Sequence, residues 1–154
     1  MKHILFFVLT VSLLICGCSS SKKGSSSIPE QGITGELTEL KGNRQPSPDL
    51  PPAKPKAIAG TILVYEPTHI SQVTRVGSSS LYTAISTKLV ASVETDSTGL
   101  FAVALPVGSY SLFVKQPNGF YSNLFDSNNN IALFTVEEGK LTKAKLVVSL
   151  RASF

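Results

Sequence analysis

The sequence predicts an all-β protein, a small antiparallel β-sandwich, and three observations support this fold class. Residues 93–114 contain three consecutive segments that are separated by two short turns. Within these segments apolar residues recur at every second position, which is typical of half-buried antiparallel strands. No run of 11 or more residues has the helical period, so we expect little or no helix.

The two turns have the residues that tight turns require. Residues 96–99 begin with an Asp, whose side chain can bond its own backbone, and end with a Gly, which accepts positive φ. Residues 106–108 place a Pro and a Gly at the second turn. The alternating apolar positions that follow the turns are Phe101, Val103 and Leu105, and then Tyr110, Leu112 and Val114.

The same stretch contains a motif that resembles a known family. The pattern T-D-x-x-G-x-F-x-V-x-L-P-x-G-x-Y resembles the carboxypeptidase regulatory-like domain, and it is formed here by Thr95, Asp96, Gly99, Phe101, Val103, Leu105, Pro106, Gly108 and Tyr110. The resemblance extends from Ile33 to the C-terminus. It implies a transthyretin-like sandwich, an accessory and non-catalytic role, and a buried position for Tyr110. Two insertions, residues 46–55 and 71–80, lengthen the loops of the first half and leave the strand pairing there open.

The N-terminus has the features of an export signal. Residues 1–3 are short and basic, and residues 4–15 are almost wholly apolar. Twelve residues are too few for a membrane-spanning helix, which needs about 20. This pattern is typical of a secretory signal peptide.

The signal ends in a sequence that resembles a bacterial lipobox. Gly17 directly precedes Cys18, as a small residue does before the modified cysteine, whereas the bulky Ile15 precedes Cys16. The resemblance implies cleavage after Gly17, a lipid on Cys18 and, because Ser19 follows, delivery to the outer membrane. Residues 1–17 are then the signal peptide, 18–31 a lipid-anchored flexible tether, and 32–154 the sandwich. An ordinary cleaved signal is the alternative.

Further strands are predicted along the chain, and they are separated by segments that cannot be central strands. The proline-rich segment 46–55 is expected to be an extended, solvated loop, because each proline removes a backbone donor. Residues 67–80 are also expected to be a loop, one long enough for function. The remaining strands are predicted at 33–40, with Ile33 and Leu37 facing inward, and at 57–66, 88–95, 131–136 and 141–154, where Leu150 shares a face with Leu146 and Val148. Residues 81–86 are predicted to be a short strand or a turn, residues 116–119 a hairpin turn and residues 137–140 a turn.

The charge of the chain gives little support for binding nucleic acid. The formal net charge is +4, spread along 154 residues. Lys143, Lys145 and Arg151 are predicted on one face of the last strand. Lysines in such positions usually prevent edge-to-edge aggregation, and we favour that interpretation over a basic binding patch.

The residues that most enzymes and metal sites need are scarce. Both cysteines precede residue 19, so the domain has no thiol, and His69 is its only histidine. Residues 126–130 with Glu137 resemble the oxygen spacing of a calcium loop, but Ile131 occupies the position where the sharp turn needs Gly. We therefore expect no enzymatic activity, no metal and no cofactor.

An aromatic-rich segment offers a different kind of site. Tyr121, Asn123, Phe125 and Asp126 combine aromatic rings with polar side chains, as in modules that stack sugar rings. Two hypotheses follow. The chain is a membrane-anchored envelope lipoprotein with a structural or protein-interaction role, or it is a surface carbohydrate-binding module that uses this segment.

Overall fold

The structure is a computed structural model that describes residues 28–43 and 54–153. Several of the predicted features lie outside the described residues. These features are the signal peptide, the lipidated Cys18, most of the tether and most of the proline-rich segment.

The described residues contain eleven strands and one short 3₁₀ turn, joined by turns and loops. The 3₁₀ turn is Ile70–Gln72. The strands are β1 Gly32–Asn43, β2 Lys56–Ala57, β3 Thr61–Tyr65, β4 Val73–Arg75, β5 Leu81–Ile85, β6 Leu89–Glu94, β7 Leu100–Ala104, β8 Gly108–Gln116, β9 Gly119–Tyr121, β10 Leu133–Val136 and β11 Leu141–Ser153.

The strands form two sheets in a sandwich-like, all-β arrangement. The smaller sheet has the order β11-β1-β2, with β7 also paired to β1. The larger sheet has the order β4-β5-β9-β8-β3-β6, with β10 also paired to β8. The prediction of an all-β, mainly antiparallel fold is confirmed. One pair departs from it, because β1 and β11 run parallel over most of their length.

The chain changes sheets at both turns of the stretch 93–114. Strand β6 pairs with β3 in the larger sheet, β7 pairs with β1 in the smaller sheet, and β8 returns to pair with β3. The two predicted turns therefore join sheets, and neither of them closes a hairpin. In contrast, the predicted turn at 116–119 does close the β8–β9 hairpin, where Gln116 pairs with Gly119.

The main core lies between the two sheets and follows the predicted alternation. In β1, Ile33 and Leu37 are fully buried, as predicted from the pattern of residues 33–40. The other buried side chains of this layer include Ile62, Val64, Phe101, Leu112, Val114, Tyr121, Val136, Ala144, Leu146 and Val148. Their burial excludes water from both inner faces and supplies most of the stabilisation.

A second apolar cluster covers the outer face of the larger sheet. Phe113 contacts Tyr65 and Tyr82 edge to face, with ring centroids 5.5 Å and 5.9 Å away. The chain after β3 crosses this face, where the N–H of Thr68 donates to Ser111 Oγ at 2.9 Å. Strand β8 is therefore buried on both faces, and simple alternation did not predict this.

Three other predictions need correction. The predicted loop 67–80 contains the 3₁₀ turn and β4. Strand β10 begins at Leu133, whereas Ile131 forms an isolated bridge with Phe125. Leu150 was predicted on the same face of β11 as Leu146 and Val148, but those two are buried and Leu150 is 41% exposed. Between the pairs Glu39–Val148 and Lys41–Arg151, two residues of β11 oppose one of β1, and such a bulge shifts the alternation.

Helical structure in the described residues is limited to the 3₁₀ turn. Within these residues, no helix has the length and apolar composition that crossing a bilayer requires.

Candidate functional site

The first turn of the motif is held together by its own polar side chains. Thr95 is buried, its Oγ1 accepts the N–H of Gly60 at 2.9 Å, and it lies 3.3 Å from the carbonyl of Ile58. Asp96 Oδ1 accepts the N–H and the hydroxyl of Thr98 at 2.8 Å and 2.6 Å, and the N–H of Leu100 at 3.0 Å. These bonds fix the passage of the chain from β6 to β7.

These hydrogen bonds also change the acidity of Asp96. The Thr98 hydroxyl and then the N–H of Leu100 stabilise the carboxylate, and they hold the pKa of Asp96 below its ordinary value. The side chain is thus an ionised acceptor in a turn. This is the role that its spacing from Gly99 predicted.

The second turn is closed by an aromatic side chain. The ring of Tyr110 is buried, and its hydroxyl donates to the carbonyl of Pro106 at 3.0 Å. Gly108 leaves room for this ring, because a Cβ there would lie 3.3 Å from the tyrosine oxygen. The Tyr110 ring is therefore in the core, as the resemblance implied. In both turns of the motif, the polar side chains form hydrogen bonds to the backbone of the domain itself.

The predicted surface site at Tyr121, Asn123, Phe125 and Asp126 is not a single surface. The ring of Tyr121 is 2% exposed and lies between the sheets. Its hydroxyl accepts the N–H of Ser149 at 3.1 Å and lies 2.9 Å from Ser149 Oγ. Tyr121 thus links β9 to β11, and its ring face is not available to a ligand.

The other three predicted residues lie on the segment between β9 and β10. Asn123 is exposed, and Phe125 is 43% exposed beside Leu124, which is 39% exposed. The Phe125 backbone pairs with Ile131, and this pairing folds the segment back on itself. Phe125 is therefore an exposed aromatic on an ordered segment.

Asp126 is bound within this segment. Its Oδ1 accepts the N–H groups of Asn128 and Asn130, both at 2.8 Å, and its Oδ2 accepts the Asn130 side-chain amide at 2.8 Å. The Asn130 side chain and then its backbone N–H lower the pKa of Asp126, and nearby His69 contributes to the same shift. Both carboxylate oxygens already have donors.

The residues predicted to resemble a calcium loop do not converge. The Glu137 carboxylate forms an ion pair with Lys140, 2.5 Å away, in the turn before β11. Among residues 28–43 and 54–153, no three His, Cys, Asp or Glu side chains are placed to hold a metal ion together.

The structure does bring together a group of residues that the sequence did not indicate. Lys41 at the end of β1 lies with Lys54 and Lys56, which precede and begin β2, along a groove of about 510 Å³. Glu39 lines the same groove and forms an ion pair with Lys41 at 2.8 Å. The proline-rich insertion separates Lys41 from Lys54 in the sequence, so only the pairing of β2 with β1 reveals the cluster.

The lysines that the sequence did indicate are placed differently. Lys143 and Lys145 are exposed on β11, an edge strand of the smaller sheet as far as the described residues show. Lys145 forms an ion pair with Glu36 on the neighbouring strand at 3.2 Å. The Arg151 side chain lies outside the described residues. These positions fit the predicted protection of a sheet edge.

Comparisons with known proteins found no relative of this chain. No protein-family model matches the chain, and neither the curated proteins nor the solved structures include a significant match. The fold and the site thus define a sandwich-like all-β protein whose motif residues are used within the fold.

Proposed function

We propose that this chain is a bacterial envelope lipoprotein that presents a carboxypeptidase regulatory-like sandwich as a non-catalytic interaction or structural module. One observation supports the proposal most directly. The motif that resembles this family lies at the two crossings between the sheets, and Thr95, Asp96 and Tyr110 donate to or accept from the chain itself. Side chains used in this way serve the architecture of a module, because their polar atoms are not free for a substrate.

The membrane anchor in this proposal is a lipid on Cys18. Cys18 precedes the first strand by only 14 residues, a length that reaches at most about 50 Å when fully extended. Several acyl chains would hold the protein at the bilayer, because each buried methylene contributes about 0.8 kcal/mol. The serine after Cys18 favours the outer membrane as the destination.

Metabolic labelling tests the anchor. Cells that express the full chain are grown on radiolabelled palmitate, and Cys18→Ser is compared with Cys16→Ser. The proposal requires that Cys18→Ser loses both the label and the membrane fraction, while Cys16→Ser keeps both. Unchanged label and fractionation in Cys18→Ser would exclude the anchor. Crosslinking in intact envelopes then identifies what the module contacts.

A surface carbohydrate-binding module is the second candidate function. The exposed Phe125, two residues after the exposed Asn123, favours it, because sugar rings stack on exposed aromatic faces. A glycan array with the full chain tests this candidate. Binding that Phe125→Ala removes and Leu124→Ala retains supports it, whereas an array without binding rejects it.

A further inference from the structure

We propose that the lysine groove, lined by Glu39, Lys41, Lys54, Lys56 and the segment 57–59, binds an acidic polysaccharide with repeated carboxylate groups. This inference rests on the proposed function, since it names the partner of an envelope-anchored module. The site differs from the segment that contains Phe125.

The shape and chemistry of the groove favour an anionic sugar polymer. Its volume of about 510 Å³ lies within the range of about 300–1,000 Å³ that is usual for ligand sites. Ala57, Ile58 and Ala59 give it an apolar side, against which the C–H face of a sugar ring can pack. The lysines at the rim supply ammonium groups that attract carboxylates.

The charges in the groove do not cancel. Glu39 is paired with Lys41, and only 13% of its side chain is exposed. Within the described part of the chain, Lys54 and Lys56 form no ion pair. Among the described residues, the groove thus has three lysines and one glutamate, and Lys54 and Lys56 lie two residues apart in the chain. This spacing suits repeated charges along a polymer.

The position of the groove favours a polymer over the anchoring bilayer. The tether joins the domain at Gly32, whereas the groove begins at Glu39 of the same strand, about 23 Å further along β1 at about 3.3 Å per residue. At the Gly32 end lie Glu30 and the turn that contains Glu137 and Glu138, where the N–H of Gly32 bonds the carbonyl of Lys140 at 3.1 Å. Lys140, which is paired with Glu137, and Lys143 also lie at this end, so the end that enters from the membrane has no excess of positive charge to hold it to an anionic bilayer.

A binding experiment with matched polymers and matched variants tests the inference. The full chain is titrated with polygalacturonate and with its uncharged methyl ester in the presence of neutral phosphatidylcholine vesicles, a format that works whether or not the chain carries a lipid. The groove variant Lys54→Glu/Lys56→Glu is compared with Lys88→Glu/Lys143→Glu, which changes the net charge equally at exposed sites on β11 and beside β6. We expect the groove variant to weaken polygalacturonate binding about tenfold, the control variant to retain it, and the methyl ester not to bind.

Several results would overturn the proposal. They are an equal loss in both double variants, no binding of polygalacturonate by the unmodified chain, or a loss caused by Phe125→Ala instead. Suppression of polymer binding when the vesicles contain phosphatidylglycerol would mean that the lysines bind the bilayer. A failed palmitate experiment would reject the anchored role and leave the polymer result standing, so the two failures are distinguishable.

Discussion

The hydroxyl of Tyr110 donates to the carbonyl of Pro106, four residues earlier, at 3.0 Å. This bond closes the turn by which the chain leaves the smaller sheet and enters the larger one. The ring lies in the core and the hydroxyl at its margin, so one side chain both fills space and fixes a turn. Its position depends on Gly108, which has no side chain to displace the ring.

Tyr110→Phe isolates the contribution of this hydroxyl. We expect the free energy of unfolding to fall by about 1 kcal/mol, because the ring stays packed and one hydrogen bond is lost. Urea denaturation of the full chain measures the change. Tyr110→Ala is the comparison, with an expected loss of about 3–5 kcal/mol from the missing ring. Equal losses in the two variants would contradict the assigned role of the bond.

Local patterns predicted the parts of the fold that depend on neighbouring residues. The three strands in the stretch 93–114, both of its turns and the buried face of β1 were all predictable. In each case a turn residue or a period-two pattern specifies the local conformation. The buried position of Tyr110 was implied by the resemblance and is confirmed.

Features that depend on distant pairing were not predictable. The parallel pairing of β1 with β11 joins the two ends of the domain, and no local pattern encodes it. The burial of Tyr121 depends on Ser149 in the opposite sheet, so an aromatic that was predicted to face a ligand lies in the core. The lysine groove was missed for the same reason, because β2 returns to β1 after a long insertion.

Thr95 also uses one side-chain oxygen to hold the backbone in place, here between the end of β6 and the start of β3. Its Oγ1 accepts the N–H of Gly60, the residue directly before β3. We expect Thr95→Val to reduce the free energy of unfolding by about 1–3 kcal/mol, because the amide loses its partner at a site where Thr95 is buried. Thr95→Ser keeps the hydroxyl and loses one methyl group, so about 1 kcal/mol or less is expected. A larger loss in the serine variant, measured by urea denaturation, would mean that packing dominates.

Gly99 is required by both its backbone conformation and its surroundings. Its φ is +78°, and a Cβ would lie 2.4 Å from the carbonyl oxygen of Leu37. That oxygen belongs to the rigid backbone of β1, so it cannot easily move away. Gly139 is the matched control, because its φ is +63° and a Cβ there would meet no atom of the described residues within 4 Å, its chain neighbours aside.

The two alanine variants should therefore differ. Gly139→Ala should reduce the free energy of unfolding by about 1 kcal/mol, the usual cost of a left-handed conformation. Gly99→Ala should cost at least about 2 kcal/mol more than that, because close contact with a backbone oxygen adds to the conformational cost. Thermal and urea denaturation of both variants measure the difference, and equal costs would show that the contact with Leu37 is unimportant.

Asp96 should make the stability of the domain depend on pH in the acid range. Its pKa in the folded chain is lower than the ordinary value of 3.8, because Thr98 and then Leu100 donate to the carboxylate. Below that ordinary value the unfolded chain binds the proton more readily than the folded chain does. Stability from this group is therefore fully present above the unfolded pKa, and it is lost as the pH falls through the folded pKa.

Asp96→Asn removes this titration. The urea midpoint of the full chain, measured from pH 7 to pH 2, should fall less steeply below about pH 4 in the variant than in the unmodified chain. Asp126→Asn should have a similar and separate effect, because the pKa of Asp126 is lowered by different partners, first among them Asn130. The double variant should combine the two changes additively. If the urea midpoint of Asp96→Asn falls below pH 4 as steeply as that of the unmodified chain, then Thr98 and Leu100 do not stabilise the ionised carboxylate in solution.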